Sequence, residues 1–417
     1  MLITELYGLS KNGTDWTQAF KTAIDSIEKA GGGVLKVPAG TYPTGAICLC
    51  SHIRFEIEAG ACLSFIPDTE HYPLIPLEFE GIRSDVHTPC IYAKNAECIT
   101  LCGDGTVNGN GDFWWKTKRE GKLDAPRPYL VCFDSCAHVT IENLYLKNSP
   151  VWTVHPYRCS DVIIRGLRIK NPWDSPNTDG IDPDSCVDVR ISDCSIDVGD
   201  DCIAIKSGTQ DTPDKKPCEH IIITNCHFLH GHGGIVLGSE MSGNVRNVLV
   251  NSCIFHNTDR GVRLKTRRGR GGTVEGVRLA NLIMESVKCP FVFNSMYYCG
   301  KGGKEPVVGD KRKLPVDEGT PALKDVHISN VVARKCTAAA GWFYGLPEMP
   351  IEGVILRDIE VEMIPGTPGL AAMMDGCEMT EQAGMTLRNV RGFRFENVKV
   401  KNVIGTELDT DDTVEFI

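Results

Sequence analysis

Four short segments in the middle of the chain carry side chains that could perform acid/base chemistry. Together they contain three aspartates, one histidine, one arginine and one lysine. Cleavage of a glycosidic bond needs a protonated acid at the leaving oxygen and a carboxylate that activates water or attacks. Neighbouring carboxylates repel each other, so at least one of their pKa values is raised and that group can hold a proton near neutrality. The segments are Asn-Thr-Asp-Gly at 177–180, Gly-Asp-Asp-Cys at 199–202, Gly-His-Gly at 231–233 and Arg-Leu-Lys at 263–265.

An internal repeat supplies the elements that would position these segments. Its pattern is apolar, any residue, apolar, any residue, then Asn or Asp, with a period of roughly 23–32 residues where no long loop intervenes. Alternation over three residues is typical of a very short strand with one buried face, and Asn or Asp suits a tight corner after it. A further apolar position follows each corner. Clear copies begin at residues 139, 189, 221, 277, 326, 354 and 393.

Short strands, corners and stacked aliphatic residues predict an all-β fold, a right-handed parallel β-helix, as a single domain over residues 1–417. A leucine-rich-repeat horseshoe has a comparable period, but its fixed leucine pattern is absent. Residues 15–30 have the pattern of an amphipathic helix and three glycines follow it, so residues 1–40 are predicted to form an N-terminal cap. The stretches 66–92 and 296–322 interrupt the repeat and are predicted to be long loops.

The repeat also predicts that the four segments meet. Residues two apart in a strand share a face, so the apolar residues of successive rungs can be aligned. Each segment alone has an ordinary explanation, such as a solvated turn or an exposed strand face, but all four at one phase of the repeat favour one site. The residues aligned in this way are Ile181, Ile203, Ile235 and Val262. With this alignment, six side chains are predicted to lie within about three rungs of each other: Asp179, Asp200, Asp201, His232, Arg263 and Lys265.

Length and charge restrict the class of protein further. The 417 residues exceed the usual size of one globular core, which favours an elongated repeat. The net charge of −10 argues against a nucleic-acid binder. No apolar run approaches the ~20 residues of a membrane span. The first residues show no basic segment followed by an apolar one, so we expect a cytoplasmic protein, or a secreted one if a leader has been removed.

Nineteen cysteines are many for such a chain. No pair of Cys-x-x-Cys motifs has the spacing of a zinc site, so neither a metal nor another cofactor is predicted. Cys194, Cys226 and Cys253 instead occupy positions that other repeats fill with aliphatic residues. We therefore expect them to be small buried side chains with free thiols, which fits a reducing compartment.

The four segments resemble those of glycoside hydrolase family 28, the polygalacturonases. The family pattern is Asn-Thr-Asp, Gly/Gln-Asp-Asp, Gly-His-Gly and Arg-Ile-Lys, and this chain differs only by Leu264 in place of Ile. The resemblance covers most of the chain, including the start with a helix, three glycines and a strand. It implies hydrolysis of α-1,4-galacturonosyl linkages with inversion, on acidic oligosaccharides or polysaccharides.

The resemblance also implies a role for each residue. Asp200 is similar to the general acid, and Asp179 and Asp201 to the pair that orients and deprotonates water. His232 resembles the group that keeps the acid in its working protonation state. Arg263 and Lys265 are expected to bind a galacturonate carboxylate. Asn177 and Tyr298, or Tyr297 in place of Tyr298, are the other residues expected to bind substrate.

Several alternatives stay open at this point. Family members invert although their carboxylates lie closer than the ~6.5–9.5 Å usual for inverting enzymes. The predicted loops could close the cleft and enforce exo action on short oligogalacturonides. The competing functions are a hydrolase of rhamnogalacturonan or xylogalacturonan, a Ca²⁺-dependent pectate lyase, and a β-helix that only binds acidic glycans. The sequence leaves the oligomeric state undetermined.

Overall fold

The computed structural model describes residues 1–417 and divides them into two compact units, Met1–Asp200 and Asp201–Ile417. Each unit is built from short parallel strands stacked as rungs, so the predicted right-handed parallel β-helix is confirmed. The single domain over residues 1–417 stays a prediction. None of the helices combines the length and the apolar character that crossing a bilayer requires.

The first unit contains three stacks of parallel strands. The first stack is Gly33–Val37, Ile53–Ile57, Glu97–Cys102, Ala137–Glu142, Ser160–Arg165 and Val187–Ser192. The second is Gly40–Thr44, Ala61–Phe65, Thr106–Asn108, Tyr145–Lys147, Arg168–Lys170 and Ser195–Asp197. The third is Ile47–Cys48, Ile91–Lys94, Val131–Asp134 and Val154–Tyr157.

The predicted N-terminal helix is present at Thr17–Lys29, after a 3₁₀-helix at Ile3–Leu9. Its buried face includes Phe20 and Ile27. The glycines after it allow the chain to turn into the first strand: Gly32 has a φ of 127°, and a Cβ on it would lie 2.7 Å from the carbonyl oxygen of His52. Only glycine tolerates that combination of conformation and close approach.

The predicted loop at 66–92 is partly ordered as an antiparallel hairpin with strands Leu74–Phe79 and Ile82–His87. Leu77 and Val86 of the hairpin are buried in a cluster with Tyr129 and Trp152, and this packing explains why the segment is a hairpin. A second helix, Gly111–Arg119, follows no repeat pattern and was not predicted.

The second unit contains two main stacks. One consists of Cys218–Thr224 and His227–His230, then Val245–His256, Thr273–Glu285, Ala322–Cys336, Ile351–Met363, Val390–Lys401 and Val414–Phe416. The other is Ile203–Ile205, Ile235–Gly238, Arg260–Lys265, Cys289–Asn294, Ala339–Tyr344, Ala383–Arg388 and Leu408–Asp409. Short strands Gly369–Leu370 and Met379–Thr380 pair antiparallel, and the predicted loop at 296–322 holds the short helix Pro306–Gly309.

The predicted register is confirmed where it falls within the second unit. Ile203 pairs with Ile235 and Ile235 with Val262, and all three side chains are buried. The predicted corners are also confirmed, because each adopts the left-handed conformation that Asn and Asp tolerate best. These corners are Asn143, Asp193, Asn225, Asn281, Asn330, Asp358 and Asn397, with φ between 51° and 64°.

The nineteen cysteines are all free, and fourteen of them are buried, including the predicted Cys194, Cys226 and Cys253. Burial raises the pKa of a thiol, as at Cys289, where it is about 12, and a thiol that stays protonated reacts slowly. We therefore expect a thiol reagent to label exposed Cys98 before the buried cysteines in the native protein. Mass spectrometry of the labelled peptides checks this order, and early labelling of the buried cysteines would contradict it.

Candidate active site

Two of the predicted acids lie together in the first unit. A carboxylate oxygen of Asp179 and one of Asp200 lie within 4.8 Å of each other. Asp179 is buried, whereas Asp200 is half-buried and so retains access to solvent. Asp201 follows Asp200 directly in the chain.

The backbone explains why the two acids meet. The Gly199 N–H donates to the hydroxyl of Thr178 at 3.2 Å, so the residues just before Asp179 and Asp200 are bonded to each other. Gly199 must be glycine here, because a Cβ on it would lie 2.3 Å from the carbonyl oxygen of Ser175. The Thr153 N–H also donates to the Asp179 carbonyl at 2.9 Å, which holds that segment against the preceding rung.

Two cations that the sequence analysis missed bind the predicted residue Asn177. Its Oδ1 accepts from Lys118 Nζ at 2.8 Å and from Arg127 Nη2 at 2.9 Å. Arg127 is only 2 % exposed and also donates to the carbonyl oxygen of Pro176 at 2.8 Å. Burial lowers the pKa of Arg127 to about 10, while Glu80 and Asp179 act against that shift. Neither cation belongs to a repeat motif, so no pattern in the sequence pointed to them.

In the second unit, Asp201 is fully buried between two predicted cations. Its carboxylate accepts from Lys265 Nζ at 2.7 Å and from Arg263 Nη1 at 3.2 Å. Burial alone would raise the pKa of Asp201, but Lys265 and Arg263 outweigh it and hold the pKa below its ordinary range. Asp201 is therefore ionised at neutral pH. Arg263 and Lys265 were predicted to face outward, but they are only 3 % and 6 % exposed and bind an acid of the protein itself.

The structure brings Tyr297, rather than Tyr298, to these cations. Arg263 Cζ lies 5.4 Å and Lys265 Nζ 5.2 Å from the centre of the Tyr297 ring, within cation–π range. The centre of the Tyr298 ring instead lies 3.4 Å from Lys304 Nζ. Neighbouring residues of an irregular segment have no fixed alternation of faces, so the sequence could not choose between the two tyrosines.

His232 is half-buried in the Gly-His-Gly segment of the second unit. It interacts electrostatically with Asp259, whose carboxylate is 2.6 Å from Lys288 Nζ. Gly233 beside it is tightly enclosed: a Cβ there would lie 2.5 Å from Val236 and 3.0 Å from Asp201 Oδ1. The segment therefore places Gly233 next to the Asp201 carboxylate, directly after His232 in the chain.

A second buried acid of this unit, Glu240, was not found from the sequence. Its carboxylate lies 3.3 Å from Lys206 Nζ and 3.6 Å from Arg270 Nη2. Burial would raise the pKa of Glu240, but Lys206, Arg270 and Lys265 lower it to about 2. Glu240 thus balances a group of buried cations around Asp201.

The lowered pKa of Glu240 predicts that this residue contributes to the stability of the fold in a pH-dependent way. A carboxyl group whose pKa is lower in the folded than in the unfolded state stabilises the folded state at pH values above its unfolded pKa, about 4.3 for Glu. This contribution is lost as the pH falls through the folded-state pKa. We expect Glu240→Gln to lower the melting temperature at neutral pH, with a deficit that narrows as the pH falls toward the folded value of about 2. Thermal melts of both proteins over this range check the prediction, and a deficit that grows in acid would contradict it.

The arginines of the basic segment at 267–270 are buried. Arg267, Arg268 and Arg270 are at most 5 % exposed. Arg268 donates to both carboxylate oxygens of Glu348, at 2.6 and 2.9 Å, and to the Val307 carbonyl at 2.8 Å. These arginines therefore anchor the 296–322 segment instead of facing solvent.

A segment near the C-terminus also covers the cations of the second unit, which no motif indicated. Arg263 Nη2 lies 3.1 Å from the sulfur of Met373, and the Leu370 carbonyl accepts from Arg260 Nη2 at 2.7 Å. The segment has no repeat pattern, and its contacts join residues about 110 positions apart.

The sequence was compared with known proteins. The family model described as glycosyl hydrolases family 28 matches residues 76–371. A probable polygalacturonase from Vitis vinifera is 33 % identical over 373 residues, which cover 87 % of this chain and 74 % of that protein. The match includes all four acid/base segments, since they lie inside the family region.

Solved structures give the same assignment. A hyperthermoactive exopolygalacturonase from Thermotoga maritima is 28 % identical, with a TM-score of 0.80 over 96 % of this chain and 91 % of that chain. A family 28 exopolygalacturonase from Yersinia enterocolitica shares the fold, with a TM-score of 0.78 over 99 % of this chain and 77 % of that chain, at 19 % identity. The chain is therefore a glycosidase and belongs to glycosyl hydrolase family 28.

Proposed function

We propose that this glycosidase hydrolyses α-1,4-galacturonosyl linkages of galacturonides by single-displacement, inverting acid/base catalysis. The observation that supports this most is the acid group: Asp179 and Asp200 lie within 4.8 Å, and the next residue, Asp201, is bound by Arg263 and Lys265. Relatives named polygalacturonase at 33 % and exopolygalacturonase at 28 % identity support the substrate class.

The different surroundings of the three carboxylates suggest different roles. Asp201, held ionised by two cations, is suited to orient and deprotonate the water but not to donate a proton. Asp200, half-buried, donates its proton to the glycosidic oxygen as the bond to the anomeric carbon breaks. Asp179 shares the water with Asp201, and His232 returns Asp200 to the protonated state. The water oxygen attacks the anomeric carbon from the opposite face, and its proton passes to Asp179 or Asp201.

Arg263 and Lys265 are suited to bind a substrate carboxylate as well as Asp201. A guanidinium offers five N–H donors and an ammonium three, so each cation can donate to more than one acceptor. Tyr297, which lies beside both cations, takes the substrate-contact role that the sequence analysis gave first to Tyr298. A uronate carboxylate bound there would lie next to Asp201.

Exo action is part of the proposal. The tip of the 74–87 hairpin supports it, because Glu80 interacts electrostatically with Lys118 and Arg127, the two cations on Asn177. A hairpin held over this end of the site would block a long polymer while admitting a chain end.

The test is a time course with trigalacturonate and tetragalacturonate, analysed by chromatography and proton NMR. We expect steady release of monomer, and the β anomer should appear first because inversion acts on an α linkage. Early mixed oligomers would contradict exo action, and initial α anomer would contradict inversion. Unsaturated products that absorb in the ultraviolet, lost on adding a chelator, would point to a lyase, and binding without turnover to a glycan-binding β-helix.

A further inference from the structure

One tryptophan of the first unit is exposed to solvent in the turn that contacts Gly199, the residue before Asp200. Trp173 is 71 % exposed, whereas Trp16, Trp114, Trp115 and Trp152 are at most 5 % exposed. A single exposed apolar residue is common on protein surfaces. An indole is the largest apolar side chain, however, and burying it would be favourable, so its position and its neighbours decide whether it has a role.

The turn that carries Trp173 is held firmly against the residue before Asp200. The Ser175 N–H donates to the Pro172 carbonyl at 3.1 Å, and the Ser175 hydroxyl also donates to that oxygen, at 2.5 Å. The Pro172 carbonyl also lies 2.8 Å from where a Cβ on Gly199 would stand. Pro172 and Ser175 therefore both contact Gly199, and Trp173 lies between them in the chain.

Lys118 supplies a cation in the same unit. It is exposed, donates to Asn177 Oδ1 at 2.8 Å and interacts electrostatically with Asp200. Its ammonium has three donors and Asn177 uses one of them. Asn177 lies two residues after Ser175, so the cation and the Trp173 turn flank the same segment.

We propose that Trp173 and Lys118 form a subsite for a uronate residue of the substrate, next to Asp179 and Asp200. The indole packs against the C–H face of the pyranose ring, and Lys118 binds the carboxylate of the same sugar. The two groups match the two chemical faces of a uronate, whereas a neutral sugar would use only the indole. The subsite rests on the proposed function, because it assigns a sugar unit to those acids.

Kinetics with trigalacturonate test the subsite. We expect Trp173→Ala to raise KM about tenfold, a loss of about 1.4 kcal/mol of binding, with a smaller effect on kcat. Trp173→Phe, which keeps an aromatic face, should restore most of the affinity. Lys118→Met should raise KM for trigalacturonate more than for its methyl ester. Tyr7→Ala removes another exposed aromatic residue, at 54 % exposure, and serves as the control.

Fluorescence quenching provides a readout independent of turnover. In an Asp200→Asn background, acrylamide should quench Trp173 strongly, and saturating trigalacturonate should protect it. The fluorescence of Trp173 is obtained by subtracting the fluorescence of the same protein with the additional substitution Trp173→Phe. Protection supports the subsite even if the wild type does not hydrolyse the ligand, in which case the proposed function alone fails. Unprotected Trp173, or a KM unchanged in Trp173→Ala, would overturn the subsite.

Discussion

Asp200→Asn is expected to lower kcat on trigalacturonate by about 10²–10⁴-fold, the usual contribution of a general acid. The amide has nearly the same size as the carboxyl group but cannot transfer a proton to the leaving oxygen. Because Asp200 is half-buried rather than in the core, the fold should persist. Release of reducing ends measures the effect, and circular dichroism with a thermal melt verifies the fold.

Asp104→Asn is the matched control for this variant. Asp104 is an exposed aspartate of the same unit, so the same chemical change there should leave kcat and the melting temperature within error. Turnover by Asp200→Asn within tenfold of the wild type would contradict the role of Asp200. A KM close to that of the wild type would show that the loss lies in the chemical step.

Lys265→Met is expected to have the largest effect on stability. It removes the ammonium that donates to the buried Asp201 carboxylate at 2.7 Å. Removing one partner of a buried ion pair costs about 3–5 kcal/mol, because the remaining charge is no longer compensated. The methionine retains the length and apolar stem of the lysine, so the loss reports on charge. Denaturant unfolding at neutral pH measures it.

Lys335→Met provides the comparison. Lys335 Nζ lies 2.6 Å from Glu285, closer than Lys265 Nζ lies to Asp201, but its side chain is 56 % exposed. An exposed pair is screened by water and contributes little to stability, so burial rather than distance should determine the difference between the two variants. Equal losses in both would refute the assigned role of burial.

The pH dependence of Lys265→Met follows from the same pair. In the wild type the pKa of Asp201 is lowered, so its contribution to stability is present above the unfolded value of about 3.9 and is lost only in strong acid. Without Lys265 the burial effect is less opposed and the pKa rises. The stability deficit should therefore be largest at neutral pH and shrink below about pH 4. A double-mutant cycle with Asp201→Asn measures the coupling of the pair.

The predictions from sequence succeeded where the physics is local. A strand alternates its faces with a period of two, so Ile203, Ile235 and Val262 could be aligned from the sequence before their pairing was known. Asn281 and Asp358 could be placed at corners because few other side chains tolerate a positive φ. The N-terminal helix was predicted to within two residues because its apolar spacing and the following glycines are local signals.

The irregular segments required the tertiary structure. The hairpin at 74–87 forms because its apolar side chains pack on Tyr129 and Trp152, which lie far away in the chain. Buried Arg268 of the basic segment pairs with Glu348, which lies 80 positions further along the chain. Such pairings depend on where a long loop rejoins the stack of strands, and amino-acid composition does not specify that position.

By itself, then, the sequence determined the β-helix, the register of its second-unit rungs, the acid, histidine and cation residues, and the resemblance to family 28. Only the tertiary structure decided that Arg263 and Lys265 bind Asp201, that Lys118 and Arg127 hold Asn177, and that Tyr297 rather than Tyr298 lies on the cations. The reason is physical: repeat phase and backbone conformation are properties of neighbouring residues. The pairing of charges 50 or more positions apart depends on the packing that excludes water around them.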